Sequence, residues 1–315
     1  MRSRFADRLT LSRADVDRDH LTRAGGIEPL MADPSTRALI LHDGRALRSD
    51  GGPLVLAAAS ALVGADPVVY LGRTLTASED LPAGSAIIAG VDDDARAEEL
   101  AAEHPGAVWA DLRSEGHALD PRDAGLFTSA LGILNWHAAY GFAPRSGRAT
   151  EVLQSGWVRR DPETGTEFYP RTDAAIIVGV TDADDRLLLG SNAMWASNRF
   201  SVLAGFVEPG ESLEAAVVRE VFEESGLTVT DPVYLGSQPW PFPASLMLGF
   251  SARVADDRSA PTPDGEEILD LRWFTRDELS AAVTAGDIIL PGPTSIARAI
   301  IEEWFGGEIT DGTRW

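Results

Sequence analysis

The sequence predicts an α+β protein with two hydrophobic cores, and three observations support that class. Short apolar runs alternate with Gly- and Pro-containing turns over the first 130 residues, a pattern typical of strands. A continuous apolar run over residues 173–180 is suited to a strand buried on both faces. Apolar residues at helical spacing lead up to Gly226, a natural helix stop. The 315 residues are enough for two domains.

The elements follow in order along the chain. We expect strands at 37–42, 53–56, 67–72 and 86–89, then helices at 94–102 and 124–139. This first region contains no catalytic pattern of its own. The strand at 173–180 is followed by a turn at Asp184 and Asp185, a returning hairpin partner at 186–190, and a closing amphipathic helix at 294–305.

Charge and composition exclude several classes of function. The net charge of −22 opposes non-specific binding to DNA or long RNA and gives no membrane-surface signal. No apolar run approaches the roughly 20 residues of a membrane span, and the N-terminus is too charged for a signal peptide. The sequence therefore predicts a cytoplasmic protein that works without membrane or DNA.

One helix carries three carboxylates at a spacing suited to a divalent metal. Glu220, Glu223 and Glu224 stand at i, i+3 and i+4, so they project from one helix face. Such crowded anions repel one another unless a cation lies among them, and Mg²⁺ or Mn²⁺ prefers oxygen ligands. A Glu-rich helix is more often only a solvated surface. The residues around the helix therefore decide whether these carboxylates form a metal site.

Those residues complete a longer pattern: Gly205, Glu211, Arg219-Glu220, Glu223-Glu224 and Gly226-Leu227. The pattern resembles the signature of the Nudix hydrolases at every fixed position. The resemblance implies an α/β/α sandwich that cleaves a nucleoside diphosphate linked to another group.

A second motif, Ser-Gln-Pro-Trp-Pro-Phe-Pro-Ala-Ser at residues 237–245, narrows the branch. Its three Pro residues forbid a regular helix and a central strand. Trp240 and Phe242 would form a stacking wall for a flat ring, unless this is a connector with Trp240 in the core. The motif resembles the array of NADH pyrophosphatases, which implies splitting of NAD(H) into NMN(H) and AMP, and removal of NAD caps from RNA. An ADP-ribose or other dinucleotide pyrophosphatase, or a non-catalytic nucleotide sensor, are the alternatives.

The resemblance also assigns roles to individual residues. The implied metal ligands are the carbonyl of Ala204 and the carboxylates of Glu220, Glu223, Glu224 and Glu267, with Glu266 as a rival one register step away. Arg219 would orient the glutamates of the Nudix signature (the Nudix box, residues 205–227), notably Glu211. Which of Glu223, Glu224 and Glu267 is the general base stays open. The implied substrate contacts are Phe206, Gln238, Trp240, Phe242, Ser245, the backbone of Ala297, and Tyr169 reaching a partner subunit's site.

The chain contains no Cys, and this bears on the region between the two halves. Relatives often have a four-Cys zinc ribbon there, whose frame matches residues 136–171. Ala143, Ser146, Asp161 and Thr164 stand at the thiolate positions, and Ala143 has no ligand atom. We therefore expect a degenerate ribbon without zinc, held by Trp157, Phe142 and hydrogen-bonded turns. The expected domains are 1–135, 136–171 and 172–315, with a Nudix-like first domain that helps form a homodimer.

Overall fold

The computed structural model describes residues 5–79, 81–256 and 260–310. The chain divides into two compact units. The N-terminal unit comprises residues 13–172 and 240–244, and the C-terminal unit comprises residues 1–12, 173–239 and 245–315. The α+β class is confirmed. The expected three-domain division remains a prediction. In the two-unit division the ribbon falls within the N-terminal unit, and residues 5–12 fall within the C-terminal unit.

The N-terminal unit contains a mixed sheet in which, over its described residues, the order is β1-β5-β6-β2-β3-β7, with β4 also paired to β2. The strands are β1 Val16–Asp17, β2 Arg37–His42, β3 Arg45–Arg48, β4 Ala57–Ala58, β5 Val68–Thr74, β6 Ala86–Val91 and β7 Val108–Ala110. The helices are α1 Glu28–Ala32, α2 Asp94–Glu103, α3 Leu112–Glu115 and α4 Pro121–Ala139. Three of the four expected strands are confirmed, as are both helices.

The fourth expected strand, at 53–56, is wrong. Leu54 makes only an isolated bridge with Arg48, and the next strand begins at Ala57. The backbone N–H of Leu54 donates instead to Asp123 Oδ2 at 2.7 Å. A buried helix side chain therefore takes the place of a strand partner. Helix α4 begins earlier than expected because Asp120 caps it and Pro121 occupies its first turn.

The ribbon keeps two tight turns and a small sheet, β10-β9-β8, with β8 Glu151–Leu153, β9 Val158–Arg160 and β10 Glu167–Phe168. Ser146 Oγ donates to Asp161 Oδ2 at 2.7 Å, which joins the two turns where thiolates would hold a metal. Trp157 anchors the ribbon, since its indole N–H donates to Tyr70 O at 2.7 Å. The expected anchoring by Phe142 is wrong, because this side chain is 67% exposed.

The C-terminal unit is built on a sheet whose described order is β14-β15-β11-β12-β16, with β13 also paired to β11. Its strands are β11 Asp173–Thr181, β12 Leu187–Asn192, β13 Leu203–Phe206, β14 Val229–Trp240, β15 Ser245–Val254 and β16 Ile268–Phe274. Its helices are α5 Leu213–Ser225, α6 Arg276–Ala285 and α7 Ile296–Phe305. Residues 5–12 belong here too, with Leu9 in the core.

Alternation along β11 gives this sheet a hydrophobic core on each face. Ile176 and Val178 pack with Val217 and Val221 of α5, whereas Ile177 packs with residues of α6 and α7. The two faces follow from the period of two in a strand, and they explain why residues 173–180 are apolar without a break. Helices on both sides of one sheet form the expected α/β/α sandwich.

Strand β12 pairs with two neighbouring strands. β12 contacts β11 only at the pair Thr181 and Leu187, and then pairs antiparallel with β16. The predicted hairpin is therefore confirmed at its turn and at this pair, and it is short because β13 occupies the edge of β11 at residues 175–178. The Pro-containing motif closes the connection from β14 to β15, and Pro239 lies in an edge strand, where a missing N–H is tolerated. Among the described helices, none is long and apolar enough to cross a membrane.

Candidate active site

Helix α5 positions the acidic residues because its start, its apolar face and its end are all specified locally. Ser212 caps the start by accepting from the backbone N–H of Ala215 at 3.2 Å. Val217 and Val221 are fully buried against the sheet. Gly226 ends the helix with φ of 67°, a left-handed conformation that favours Gly. The carboxylates are therefore carried by a rigid element rather than by a loop.

The first glycine of the motif leaves room for Glu220. A Cβ at Gly205 would lie 2.0 Å from the carboxyl carbon of Glu220, which no side chain could occupy. Gly205 lies in β13, whose pairing with β11 fixes the backbone. Strand β13 and helix α5 thus meet with the Glu220 carboxylate between them.

Arg219 holds three of the acidic side chains in place. Its Nε and Nη2 donate to the two carboxylate oxygens of Glu211, each at 2.9 Å, a bidentate pair. Its Nη1 donates to Glu220 at 2.8 Å and to Glu223 at 2.9 Å, and Nη2 also donates to the carbonyl of Phe206. With its donors taken up inside the protein, Arg219 acts here as an organiser of carboxylates.

Glu224 is the acid of the site whose charged form is least stabilised by its surroundings. It is 4% exposed, and its Oε2 has no hydrogen-bond partner. Burial, followed by the charges of Glu267, Glu220 and Asp264, raises the pKa of Glu224 to about 8, against a hydrogen bond from the backbone N–H of Ala204. Ala204, expected to offer its carbonyl to a metal, thus already supports the carboxylate through its N–H.

Glu267 approaches the helix from the loop before β16. Its charge acts on both Glu220 and Glu224, which distinguishes it from the rival Glu266. Asp264 fixes this loop, because its Oδ1 accepts from the backbone N–H groups of residues 266, 267 and 268 at 2.8–3.0 Å. The Asn192 amide donates to Glu267 Oε1 at 3.4 Å. Asp264 and Asn192 were missed from the sequence, although Asp264-Gly265 is a recognisable turn signal.

The donor set fits a divalent cation. Glu220, Glu224 and Glu267 supply oxygen atoms from a helix and a facing loop, and the unpartnered Glu224 Oε2 lacks a positive neighbour. Within the described ranges, no three acidic or imidazole groups already stand at metal-binding distances. Glu223 is half exposed and is paired to Arg219 Nη1, which also contacts Glu220. Small side-chain rotations would therefore accompany binding.

Two predicted substrate contacts have other roles in the fold. Gln238 is fully buried, accepting from the backbone N–H of Leu11 at 3.3 Å and donating to Thr294 O at 3.0 Å. Its amide thus ties residues 5–12 to the sheet and is not open to a ligand. Ala297 is buried at the start of α7, where its N–H donates to the capping Ser295 Oγ at 3.2 Å. Phe206, by contrast, is 60% exposed, and Ser245 is partly buried.

The aromatic wall belongs to the N-terminal unit. Trp240 and Phe242 meet edge to face, with ring centroids 5.0 Å apart. The guanidinium of Arg113 lies 4.5 Å from the Phe242 centroid and 5.5 Å from the Trp240 centroid. No local pattern in the sequence points to Arg113, which is distant from this motif in the chain. Tyr169 is 62% exposed, and its hydroxyl donates to Glu167.

Comparison with known proteins agrees with this architecture. A NUDIX domain model matches residues 170–290, and a model of the NADH pyrophosphatase-like rudimentary NUDIX domain matches residues 35–136. The chain is 41% identical over 311 residues to NAD-capped RNA hydrolase NudC of Mycobacterium bovis, covering 95% of this chain and 92% of that protein. The values for its counterpart in Mycobacterium tuberculosis are the same. Human NAD-capped RNA hydrolase NUDT12 is 36% identical over 198 residues, covering 59% of this chain and 42% of that protein.

The rudimentary NUDIX match lies within the N-terminal unit, and the NUDIX match covers most of the C-terminal unit. The chain therefore belongs to the Nudix hydrolases, in the branch that carries a rudimentary NADH pyrophosphatase-like Nudix domain ahead of the Nudix domain.

Proposed function

We propose that this protein hydrolyses the pyrophosphate bond of NAD(H) to NMN(H) and AMP with the help of Mg²⁺ or Mn²⁺. The observation that carries the proposal is the buried Glu224 carboxylate, whose Oε2 has no hydrogen-bond partner and on which the charges of Glu220, Glu267 and Asp264 act. Such an arrangement stabilises nothing by itself, since like charges and burial both disfavour the ionised acid. Ionisation of these acids becomes favourable once a cation binds among them. A site for an anionic pyrophosphate requires such a cation.

The chain's own residues prepare the reaction in three ways. Glu220, Glu224 and Glu267 would hold the cation, which neutralises the pyrophosphate and makes a bound water more acidic. Arg219 fixes the geometry of Glu220 through a contact of 2.8 Å. Water attacks one phosphorus, the bridging P–O bond breaks with its electron pair going to the leaving phosphate, and the water proton passes to a carboxylate. Because Glu223 is paired to Arg219, Glu224 and Glu267 are the proposed proton acceptors.

The aromatic side chains support a dinucleotide as substrate. Phe206 and the Trp240–Phe242 pair offer exposed or partly exposed rings for stacking on a nicotinamide or adenine. The relatives' names point to NAD-capped RNA, and removal of an NAD cap breaks the same bond with a longer leaving part. We therefore include cap removal within the proposed activity.

A substrate panel tests the proposal. Purified protein is incubated with Mg²⁺ or Mn²⁺ and with NADH, NAD⁺, ADP-ribose or NAD-capped RNA, and NMN(H) and AMP are measured. We expect cleavage of NADH and NAD⁺, dependence on the metal, and loss of cleavage in Glu224→Gln. A preference for ADP-ribose would favour the alternative pyrophosphatase, and tight NADH binding without turnover would favour a sensor.

We also propose a cytoplasmic homodimer whose site is completed across the subunit interface by Tyr169. The exposed Tyr169 ring is the supporting observation. Tyr169→Ala should raise KM for NADH without changing the mass of the dimer. Mixing Tyr169→Ala with Glu224→Gln subunits should restore activity, because one site of each heterodimer then has both residues intact. No recovery after confirmed subunit exchange, or a monomeric mass, contradicts the proposal.

The absence of a structural zinc is a separate proposal. It is supported by the hydrogen bond from Ser146 to Asp161 and by the buried methyl group of Ala143 at ligand positions. Elemental analysis of protein purified with mild chelation should find far less than one zinc per chain. About one zinc per chain would refute it.

A further inference from the structure

We propose that the N-terminal unit contains a second ligand site, a cavity that binds a nucleoside monophosphate without hydrolysing it. The cavity belongs to this unit alone, since its lining residues fall between positions 37 and 122. The proposed hydrolysis of NAD(H) makes no use of it. Its size, its fixed walls and its two guanidinium groups support the proposal.

The cavity has the size and the lining of a small-molecule site. Its volume is about 680 Å³, within the range of roughly 300–1,000 Å³ for ligand pockets. Leu54, Val55 and Leu81 form an apolar wall, and all three are buried. Glu79 and Asp120 also line the cavity but are exposed, so they belong to its mouth. A buried apolar wall behind a polar mouth suits a ligand with a partly apolar body, such as a nucleoside.

The loop that forms one wall, residues 49–56, is fixed by two buried side chains. Arg48 Nε donates to the carbonyl of Gly52 at 2.9 Å, and Asp123 Oδ2 accepts from the backbone N–H of Leu54 at 2.7 Å. Both Arg48 and Asp123 are buried. The wall therefore exists before a ligand arrives, so binding does not have to order this loop.

Arg122 brings a buried and oriented guanidinium to the cavity. Its Nε donates to Asp123 Oδ1 at 2.8 Å, and its Nη1 donates to Ser78 Oγ at 2.7 Å. Its Nη2 lies 3.7 Å from Asp120 Oδ2, which is too far for a hydrogen bond. The N–H groups of Nη2 are therefore left for a ligand, while the rest of the guanidinium is held in one orientation.

Arg37 adds a second guanidinium to the lining. Its Nη1 donates to the carbonyls of Pro34 and Thr36 at 2.9 and 3.2 Å, and over the described ranges no carboxylate pairs with it. A phosphate monoester carries up to about two negative charges, which two guanidinium groups balance, and guanidinium N–H groups match the geometry of phosphate oxygens. A longer polyphosphate would bring further negative charge towards the acids at the mouth.

The N-terminal unit repeats the sheet of the C-terminal unit but lacks its acidic helix. The order β5-β6-β2-β3-β7 corresponds to β14-β15-β11-β12-β16, and β4 pairs with β2 as β13 pairs with β11. Helix α5 connects β13 to β14, whereas residues 59–67 connect β4 to β5 with only a short 3₁₀ helix, Ala59–Leu62. This connection contains one acid, Asp66, so it offers no set of carboxylates to a divalent cation. We therefore expect the cavity to hold its ligand without hydrolysis.

Calorimetric titration of the full-length protein in EDTA tests the site, with AMP as the probe. AMP should bind with a dissociation constant below about 1 mM, and adenosine and inorganic phosphate should each bind at least about tenfold more weakly, because each lacks half of the contacts. The titration requires no turnover, so its outcome is independent of the proposed hydrolysis. Absence of AMP binding overturns the inference.

Two variants and two controls assign the binding to the cavity. Arg37→Gln and Arg122→Lys should each weaken AMP binding about tenfold or more, and Lys at position 122 keeps a positive charge beside Asp123. Arg45→Gln, which removes an exposed charge from β3 outside the cavity, should bind AMP like the wild type, as should Glu224→Gln. Equal losses in Arg37→Gln and Arg45→Gln, or loss of binding in Glu224→Gln, overturn the inference.

Hydrogen–deuterium exchange of the wild-type protein locates the ligand without any substitution. AMP should slow exchange in peptides that cover residues 49–56 and 78–81, which line the cavity, and should leave residues 205–227 unchanged. Protection confined to residues 205–227 places AMP at the acidic site and overturns the inference.

Discussion

Replacing Glu224 by Gln should stabilise the metal-free protein while removing its activity. Glu224 is buried, its Oε2 has no partner, and three further acids act on it. The substitution is nearly isosteric and removes a charge that the fold accommodates poorly. A site built for stability alone would show the opposite response, because loss of a well-paired buried acid destabilises a protein.

The pKa gives the size and the sign of the effect. The pKa of Glu224 is raised from 4.5 to about 8, so ionisation of this group disfavours folding. The loss of folding stability caused by ionised Glu224 is absent below the unfolded-state pKa near 4.5. It grows as the pH rises from 4.5 to 8 and is complete above the folded-state pKa near 8. The full effect is at most about 5 kcal/mol, from ~1.4 kcal/mol for each unit. Stability of the two proteins should therefore agree near pH 4.5 and diverge towards pH 8.

Urea unfolding in EDTA, followed across this pH range, measures the difference, and Glu214→Gln is the matched control. Glu214 is an exposed acid in the first turn of the same helix, so its replacement should leave both stability and activity near wild type. Added Mg²⁺ should stabilise the wild type and not Glu224→Gln, since a ligand stabilises only a fold that binds it. A metal-free Glu224→Gln protein less stable than wild type at pH 8 would refute the reasoning. So would retention of more than about a tenth of kcat/KM, a loss below ~1.4 kcal/mol.

Three other substitutions test the surrounding structure. Arg113→Ala should lower the free energy of unfolding by ~1 kcal/mol through loss of its cation–π contacts with Phe242 and Trp240, as measured by urea unfolding; unchanged stability would show that these contacts contribute nothing. Asp264→Ala should weaken Mn²⁺ binding, measured by electron paramagnetic resonance, because Glu267 loses its loop support; unaltered affinity would contradict that role. Burial lowers the pKa of His137 to about 4, so wild-type stability should fall by up to about 3 kcal/mol as pH drops from ~6.5 to ~4. In His137→Gln this pH dependence should be weaker, and an equal slope would show that other groups titrate.

The parts of the site that sequence could predict are those encoded within one helix. Glu220 and Glu224 follow from helical spacing, and Gly226 from its role as a stop. Glu267 was assigned by the resemblance rather than by spacing, because its loop is distant in the chain from helix α5. Gln238 shows that a motif can also mislead. The motif predicted a ligand contact, but the buried amide of Gln238 has two hydrogen-bond partners inside the fold.

The ribbon keeps its two turns and its small sheet without the Cys residues that would bind zinc. Asp161 Oδ2 accepts from Ser146, while its Oδ1 accepts from the backbone N–H groups of Glu163 and Thr164. One carboxylate thus satisfies donors from both turns, which a metal would otherwise connect. Zinc binding contributes folding free energy that a few hydrogen bonds of ~1 kcal/mol each do not match. Trp157 also stabilises the ribbon, through its hydrogen bond to the carbonyl of Tyr70 and through the Arg23 guanidinium 3.6 Å from its ring centroid. Loss of the Trp157 ring should therefore destabilise the N-terminal unit more than loss of the Asp161 carboxylate.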